Sequence, residues 1–305
     1  MSQKEIYIRD QSLLDQLPVF YQPWWLDAVS TRWDVIIIYK DEKAVLVWPY
    51  TLEKKWMLQL IRTPRLTSNL GPYFLDNPVD NTLLEQAYRL LPKAGYHILT
   101  PPFSKDLSVF FEGKGYTAFH KRTYLIDLKP ELAEISAAVD KKRMKLIQKA
   151  EKELLVVATQ LNVPLFNQWL SGTFARQGNK YALTPELIAA VDQAARQHHA
   201  CLCLEVRDAS GNILGIQWFL YDRTSMYYML SAINPELKHP SAAALLLWKA
   251  ICTAKELGLE YFDFEGSSIP GIEFFFKSFG GLRVDYPVYS RTRSMIWKWK
   301  QKILG

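Results

Sequence analysis

Three apolar runs rich in β-branched and aromatic residues, at 201–207, 213–221 and 225–232, are joined only by turns around SGN and DRTS. Runs of that kind at that spacing read as a three-stranded antiparallel meander. The residues beyond the meander restrict the fold further. Residues 241–257 form an apolar helical stretch stopped by Gly258, 261–264 a strand, and 272–279 a short helix ended by Gly280 and Gly281. A last strand fits 283–289. A meander covered by a helix and then extended by more strands requires a mixed sheet with helices packed on it.

Upstream, residues 132–153 read as one long helix and 154–159 as a strand. Helices fit 163–177 and 185–198, the second with Thr184 as N-cap and Pro185 in the first position. The first third carries the same grammar in reduced form: a helix at 23–30, a hairpin at 34–40 and 44–50, and a strand at 56–62. A helix at 83–91, a strand at 96–99, a helix at 105–112 and a strand at 116–128 complete it. The expectation is an α/β chain with mixed sheets in two tandem domains, 1–128 and 129–305. A length of 305 residues, 49% of them hydrophobic, suffices for two cores and excludes a disordered chain or a small disulfide-held scaffold. The three cysteines have no zinc-site spacing and read as reduced, buried thiols, which points to the cytoplasm. No apolar run reaches the roughly 18 residues of a spanning helix.

The net charge of +6 hides two concentrations. Residues 141–152 hold six basic groups against Glu151, and 291–305 hold five basic groups and no acid. Each carries +5, so the rest of the chain balances at about −4, and the positive potential is local. On a helix, Lys141, Lys145 and Lys149 share a face with Lys142 beside it, a stripe suited to a phosphate-bearing partner. Arg143 is placed to grip a phosphate with two N–H groups. Residues 291–305 interleave tryptophans with cations, a composition suited to an anionic leaflet or to stacking on nucleic acid.

Specific stretches carry a family resemblance. The order of elements is that of the GNAT acyltransferase fold, in which splayed fourth and fifth strands make an acyl-donor cleft. DKKRMKLIQKAEK (140–152), LLLWKAICTAKELG (245–258), YFDFEG (261–266) and FFFKSFGG (274–281) resemble the Fem-type branch of that superfamily. So do YQPWWLDAV (21–29) and PRLTSNLGPYF (64–74). The resemblance implies two GNAT-like domains that transfer an acyl group to an amine without a metal and with no cofactor required. Its better-known members move an amino acid from aminoacyl-tRNA onto the peptide of a cell-wall precursor. The acyl donor is then aminoacyl-tRNA or, in the neighbouring branch, acyl-CoA. Peripheral contact with the inner face of the membrane through 291–305 suits a lipid-linked acceptor.

By that resemblance Phe276 and Lys277 position the end of the donor, and the Lys277 ammonium faces the oxyanion formed when an amine attacks. Such stabilisation is commonly worth about 3 kcal/mol. Asp263 and Glu265 alternate on the expected strand, so both face one way and either is a candidate general base. Ser267 and Ser268 lead into the Lys277 helix as candidate lining residues. Ser241 and Lys238 stand at the helix start where acyl-CoA enzymes of this fold bind pyrophosphate. The segment NPELKHPSAAA (234–244) lacks the glycines of such a loop, which weakens the coenzyme A alternative, and a plain N-cap is the simpler role for Ser241. A non-catalytic GNAT-like module that binds an anionic polymer or membrane through its two basic segments, 141–152 with Lys142, Arg143 and Lys145 and 291–305, is the reading from a different functional class. Neutralising the basic residues of 141–152 is expected to weaken binding of a phosphate-bearing substrate and to spare sedimentation with anionic vesicles. Removing 291–305 is expected to do the reverse, and the two binding assays run on both variants check it.

Overall fold

The computed structural model describes residues 1–55, 58–75, 78–102, 106–176, 183–237, 239–266 and 269–292. The chain opens with α1 (Gln3–Arg9), α2 (Gln11–Leu14) and α3 (Pro23–Val29). The strands β1 (Trp33–Lys40), β2 (Lys43–Lys55), β3 (Leu58–Arg62) and β4 (Tyr73–Phe74) come next, then α4 (Asn81–Leu90), β5 (Tyr96–Leu99), α5 (Ser108–Gly113) and β6 (Thr117–Asp127). The rest comprises α6 (Leu132–Ala138), α7 (Lys141–Glu153), β7 (Leu155–Ala158), α8 (Val163–Arg176) and α9 (Pro185–Gln197). The meander is β8 (Cys201–Arg207), β9 (Ile213–Tyr221) and β10 (Ser225–Ile233). It leads into α10 (Ala242–Glu256), β11 (Tyr261–Asp263), α11 (Pro270–Lys277) and β12 (Leu282–Thr292).

Two compact units result, Met1–Lys121 with the chain from Asp285 onward, and Arg122–Val284. In the first, the strand order is β1-β2-β3-β5-β12, with β4 also pairing β2. Among the described residues its one parallel pair is β3 with β5, and β12 lies antiparallel to β5. In the second, the order is β6-β11-β10-β9-β8-β7. Among the described residues its one parallel pair is β10 with β11, and β6 lies antiparallel to β11. Each unit is therefore a meander, a crossover helix, a parallel strand and one closing antiparallel strand. The sequence places a boundary at 128/129, whereas the chain passes from one unit to the other within β6 and back within β12. The reason is pairing: the second half of β6 hydrogen-bonds with β11, and the last residues of β12 with β5.

The second unit has one continuous core, in which α10 buries Leu245, Leu246, Leu247, Ala250 and Ile251 against Phe219, Met226 and Phe262 of the sheet. The expected long helix at 132–153 is two helices, because Val139 is extended and the Asp140 carboxylate caps α7 by accepting from the N–H groups of Lys142 and Arg143. The helix expected at 105–112 is α5, and the helices α1 and α2 have no counterpart in the sequence reading. Thr184 caps α9 by accepting from Leu187 N–H, as its position suggests.

Glycine is required where β11 ends. Gly266 has φ +71°, and a Cβ there would stand 1.9 Å from the Arg122 carbonyl oxygen. Gly266→Ala is expected to lower the free energy of unfolding, read from urea denaturation, by more than the roughly 1 kcal/mol that a left-handed alanine alone costs. Gly113→Ala is the control, since a Cβ there meets nothing within 4 Å; equal effects of the two changes would refute the close-packing argument.

Candidate functional site

The site of the second unit begins as a fork. β10 and β11 pair over three residues only, the last pair being Tyr227 with Asp263. Two local features force them apart. The register of β10 against β9 shifts between Tyr228 and Leu230, a bulge that bends the strand. Beyond Asp263, Glu265 and Gly266 both take positive φ, which turns the chain out of the sheet and into α11. β10 runs on to Ile233 with β9 as its strand partner.

Phe276 closes the floor of the fork. Its ring packs 4.9 Å from Phe264 on one prong and 5.7 Å from Tyr228 on the other. Lys277 comes next, at the end of α11, with its side chain exposed. Two clamps fix that short helix. Glu273 accepts from Arg122 Nη1 at 3.1 Å and from the Tyr124 hydroxyl at 3.0 Å, contacts that hold its carboxyl below the usual range. At the other end the Asp140 N–H donates to the Ser278 carbonyl at 2.9 Å, and Arg143 Nε donates to Ser278 Oγ at 3.0 Å. The Arg143 guanidinium also lies 4.8 Å from the Phe275 ring centre. Arg143 thus binds α7 to the Lys277 segment, with Nε committed and the side chain half-buried. Lys142 and Lys145 remain exposed on α7, whose Ile147 and Ala150 face the core.

Burial raises the pKa of the Tyr227 hydroxyl, and the Asp263 and Glu265 carboxylates both lie close enough to raise it further. β11 stops at Asp263, and the left-handed turn at Glu265 ends the alternation that a strand through 264 would give. Asp263 is 4% exposed, and its Oδ1 accepts both from Thr123 Oγ1 at 2.5 Å and from the Glu265 N–H at 2.8 Å. Burial raises its pKa to about 6 against those two hydrogen bonds. Glu265 is half-buried, with its Oε1 out of contact with solvent.

Ser241 is 3% exposed and its side chain caps nothing, since the backbone is already helical there; its N–H donates to His239 Nδ1 at 3.3 Å. Lys238, Ser267, Ser268 and most of 291–305 lie outside the described residues. Among the described residues no His, Cys, Asp and Glu group could hold a metal ion, and no helix is long and apolar enough to cross a membrane. Cys201, Cys203 and Cys252 are free, and burial raises the pKa of each thiol.

Sequence reasoning missed the groups that hold the site. Arg122, Thr123 and Tyr124 lie far from Glu273 and Asp263 in the chain, so no spacing rule links them. Gln217 did leave a signal, as the single polar residue inside ILGIQWFLY. It is fully buried, and its Nε2 donates to the Ala243 carbonyl at 3.1 Å and to the Tyr228 hydroxyl at 3.4 Å.

Comparison with known proteins places this geometry. Residues 137–277, within the second unit, match the acetyltransferase (GNAT) domain family. No curated protein matches the sequence. Among solved structures, FemX superposes with a TM-score of 0.74 at 13% identity, covering 92% of this chain and 94% of its own. L-PGS from Bacillus licheniformis gives 0.54 at 11% identity, with 87% of each chain covered. A tandem GNAT protein from the clavulanic acid biosynthesis pathway gives 0.53 at 9% identity, covering 87% of this chain and 85% of its own. Identities this low establish the fold.

Asp263 makes stability depend on pH. The folded carboxyl keeps its proton up to about pH 6, while the unfolded one loses it near 3.8, so stability falls as pH rises through that window and is then level. Asp263→Asn keeps an Oδ1 able to accept both hydrogen bonds and removes the buried charge. It is expected to exceed wild type above pH 6 by on the order of 2 kcal/mol and to lose the advantage towards pH 4. Urea midpoints measured across that range check it, and parallel profiles would contradict it.

Proposed function

Starting from a chain with the two-domain fold of Fem-type GNAT acyltransferases, we propose that it transfers an aminoacyl group from aminoacyl-tRNA to an amine, the acceptor being a phosphate-bearing cell-wall peptide precursor. The observation that supports this most is Lys277, an exposed ammonium set next to the aromatic floor of the fork on a helix clamped at both ends. In this reading the acceptor nitrogen attacks the ester carbonyl carbon. The carbonyl electrons move onto oxygen, where Lys277 stabilises them, and a C–N bond forms as the C–O bond to the tRNA breaks. Glu265, in the turn just beyond β11, takes the proton lost by the amine, and the departing ribose oxygen is protonated in turn. Asp263 is the positioning residue for the Glu265 turn.

The exposed lysines of α7 supply positive charge near that helix for the phosphates of a donor or acceptor. The reaction belongs in the cytoplasm, where charged tRNA is available, with 291–305 as the contact to an anionic leaflet. A coenzyme A-dependent N-acyltransferase is the second reading; against it, no glycine lies between Ile233 and the start of α10.

The experiment offers amino acid-charged tRNA and acetyl-CoA with cell-wall precursor peptides and tracks amide formation by mass spectrometry. Transfer from charged tRNA is expected, and Lys277→Ala is expected to lower kcat/KM about 100-fold with an unchanged thermal midpoint. Transfer from acetyl-CoA alone would establish the second reading. Absence of product from both donors, or full activity of Lys277→Ala, would overturn the proposal.

A further inference from the structure

Gln217 is spent on more than structure. In β9 it stands directly opposite Ser231 of β10, so both point to the α10 side of the sheet. The bulge at Met229 is what returns Ser231 to the face that Tyr228 occupies. Gln217 Nε2 faces the Ala243 carbonyl, which only accepts, so the amide orientation is fixed and Oε1 points away from that bond. Oε1 is buried and has no hydrogen-bond partner among the described residues. The Ser231 side chain lies near enough to the Tyr228 hydroxyl to offset part of the rise that burial gives its pKa. A buried acceptor left without a donor is costly, and one in the middle of a packed strand calls for an explanation. Around it stand Tyr228 and, against that ring, Phe219 at 5.6 Å and Phe276 at 5.7 Å. An acceptor oxygen with aromatic ring faces beside it attracts an N–H donor or an ammonium.

We infer that Gln217, with Tyr228 and Ser231, recognises the α-amino group of the acyl donor and selects aminoacyl over plain acyl groups. The inference rests on the transfer reading above and adds the residue that sets donor class. Position supports it: Tyr228 is the first residue of β10 beyond its last pair with β11, and its ring meets Phe276, the neighbour of Lys277. The amino group of a donor whose carbonyl lies by Lys277 would enter the fork on this side. A site built to hydrogen-bond a substrate N–H discriminates against an analogue lacking it far more than an apolar pocket does, because its own buried group is then left unpaired.

The test uses the full chain with tRNA acylated by glycine, alanine, serine or lysine, each beside the tRNA bearing the matching deamino acid. Wild type is expected to prefer at least one amino acid over its deamino counterpart by about 100-fold or more in kcat/KM. Gln217→Met, which keeps the side-chain volume, is expected to bring that ratio to within about tenfold of unity. A merely structural role would lower both donors alike and leave the ratio intact, and that result would overturn the inference, as would a wild type with no preference. If Gln217→Met does not fold, Ser231→Ala and Tyr228→Phe take its place, with a reduced ratio expected and an unchanged one counting against it. Wild type that transfers nothing from either series refutes the transfer reading itself, and the Gln217 assignment falls with it. Transfer with an unaltered ratio refutes the assignment alone.

Discussion

The parallel pairing of β10 with β11 lasts three residues, and the chemistry of the second unit depends on that brevity. A longer pairing would satisfy both strand edges with each other and leave a closed sheet. Ending it needs a cause on each side, and each strand supplies one. The bulge at Met229 re-aims β10, while two consecutive left-handed residues, Glu265 and Gly266, take the chain away from the end of β11. Gly266 is there because the Arg122 carbonyl leaves no room for a Cβ. The Asp263 carboxylate stabilises the same turn by accepting the Glu265 N–H, at the cost of a buried acid. Strain and desolvation are thus concentrated where the fork opens, as expected of a site that must stay open in a packed domain.

The residues presented by the fork are held by contacts that cross long stretches of sequence. The short helix with Phe276 and Lys277 has only eight residues, too few to be stable alone. It is ordered by Glu273 on β6 residues at one end and by Ser278 on α7 residues at the other. One cation of the basic cluster, Arg143, is therefore a structural bond, and its exposed neighbours Lys142 and Lys145 keep the charge available to a partner. A helix that looked like a uniform basic stripe divides its residues between two tasks.

The duplicated topology explains where the chain divides. Each unit's parallel strand needs an antiparallel neighbour to cover its outer edge. β6 does this for β11, and β12 does it for β5. A boundary drawn at a loop between repeats misses this, since the strand that closes one repeat's pattern in sequence belongs to the other unit in space.

The meander, the crossover helix, the order of elements and the resemblance carried by YFDFEG and FFFKSFGG were legible in the sequence, because period and turn chemistry are local properties of the chain. The extents of β8 and β9 match the sequence reading residue for residue, since strong alternation is bounded there by turns. Three matters were decided only by tertiary structure. Glu265 leaves the strand because a turn packed on Arg122 overrides strand alternation. Arg143 points inward because Ser278, 135 residues away, offers it an acceptor. Gln217 acquires a meaning beyond an odd polar residue in an apolar strand only when Ala243, Tyr228 and Ser231 close around it. Local sequence specifies which hydrogen-bonding groups a segment carries, and long-range packing alone determines which of them are left to meet a ligand.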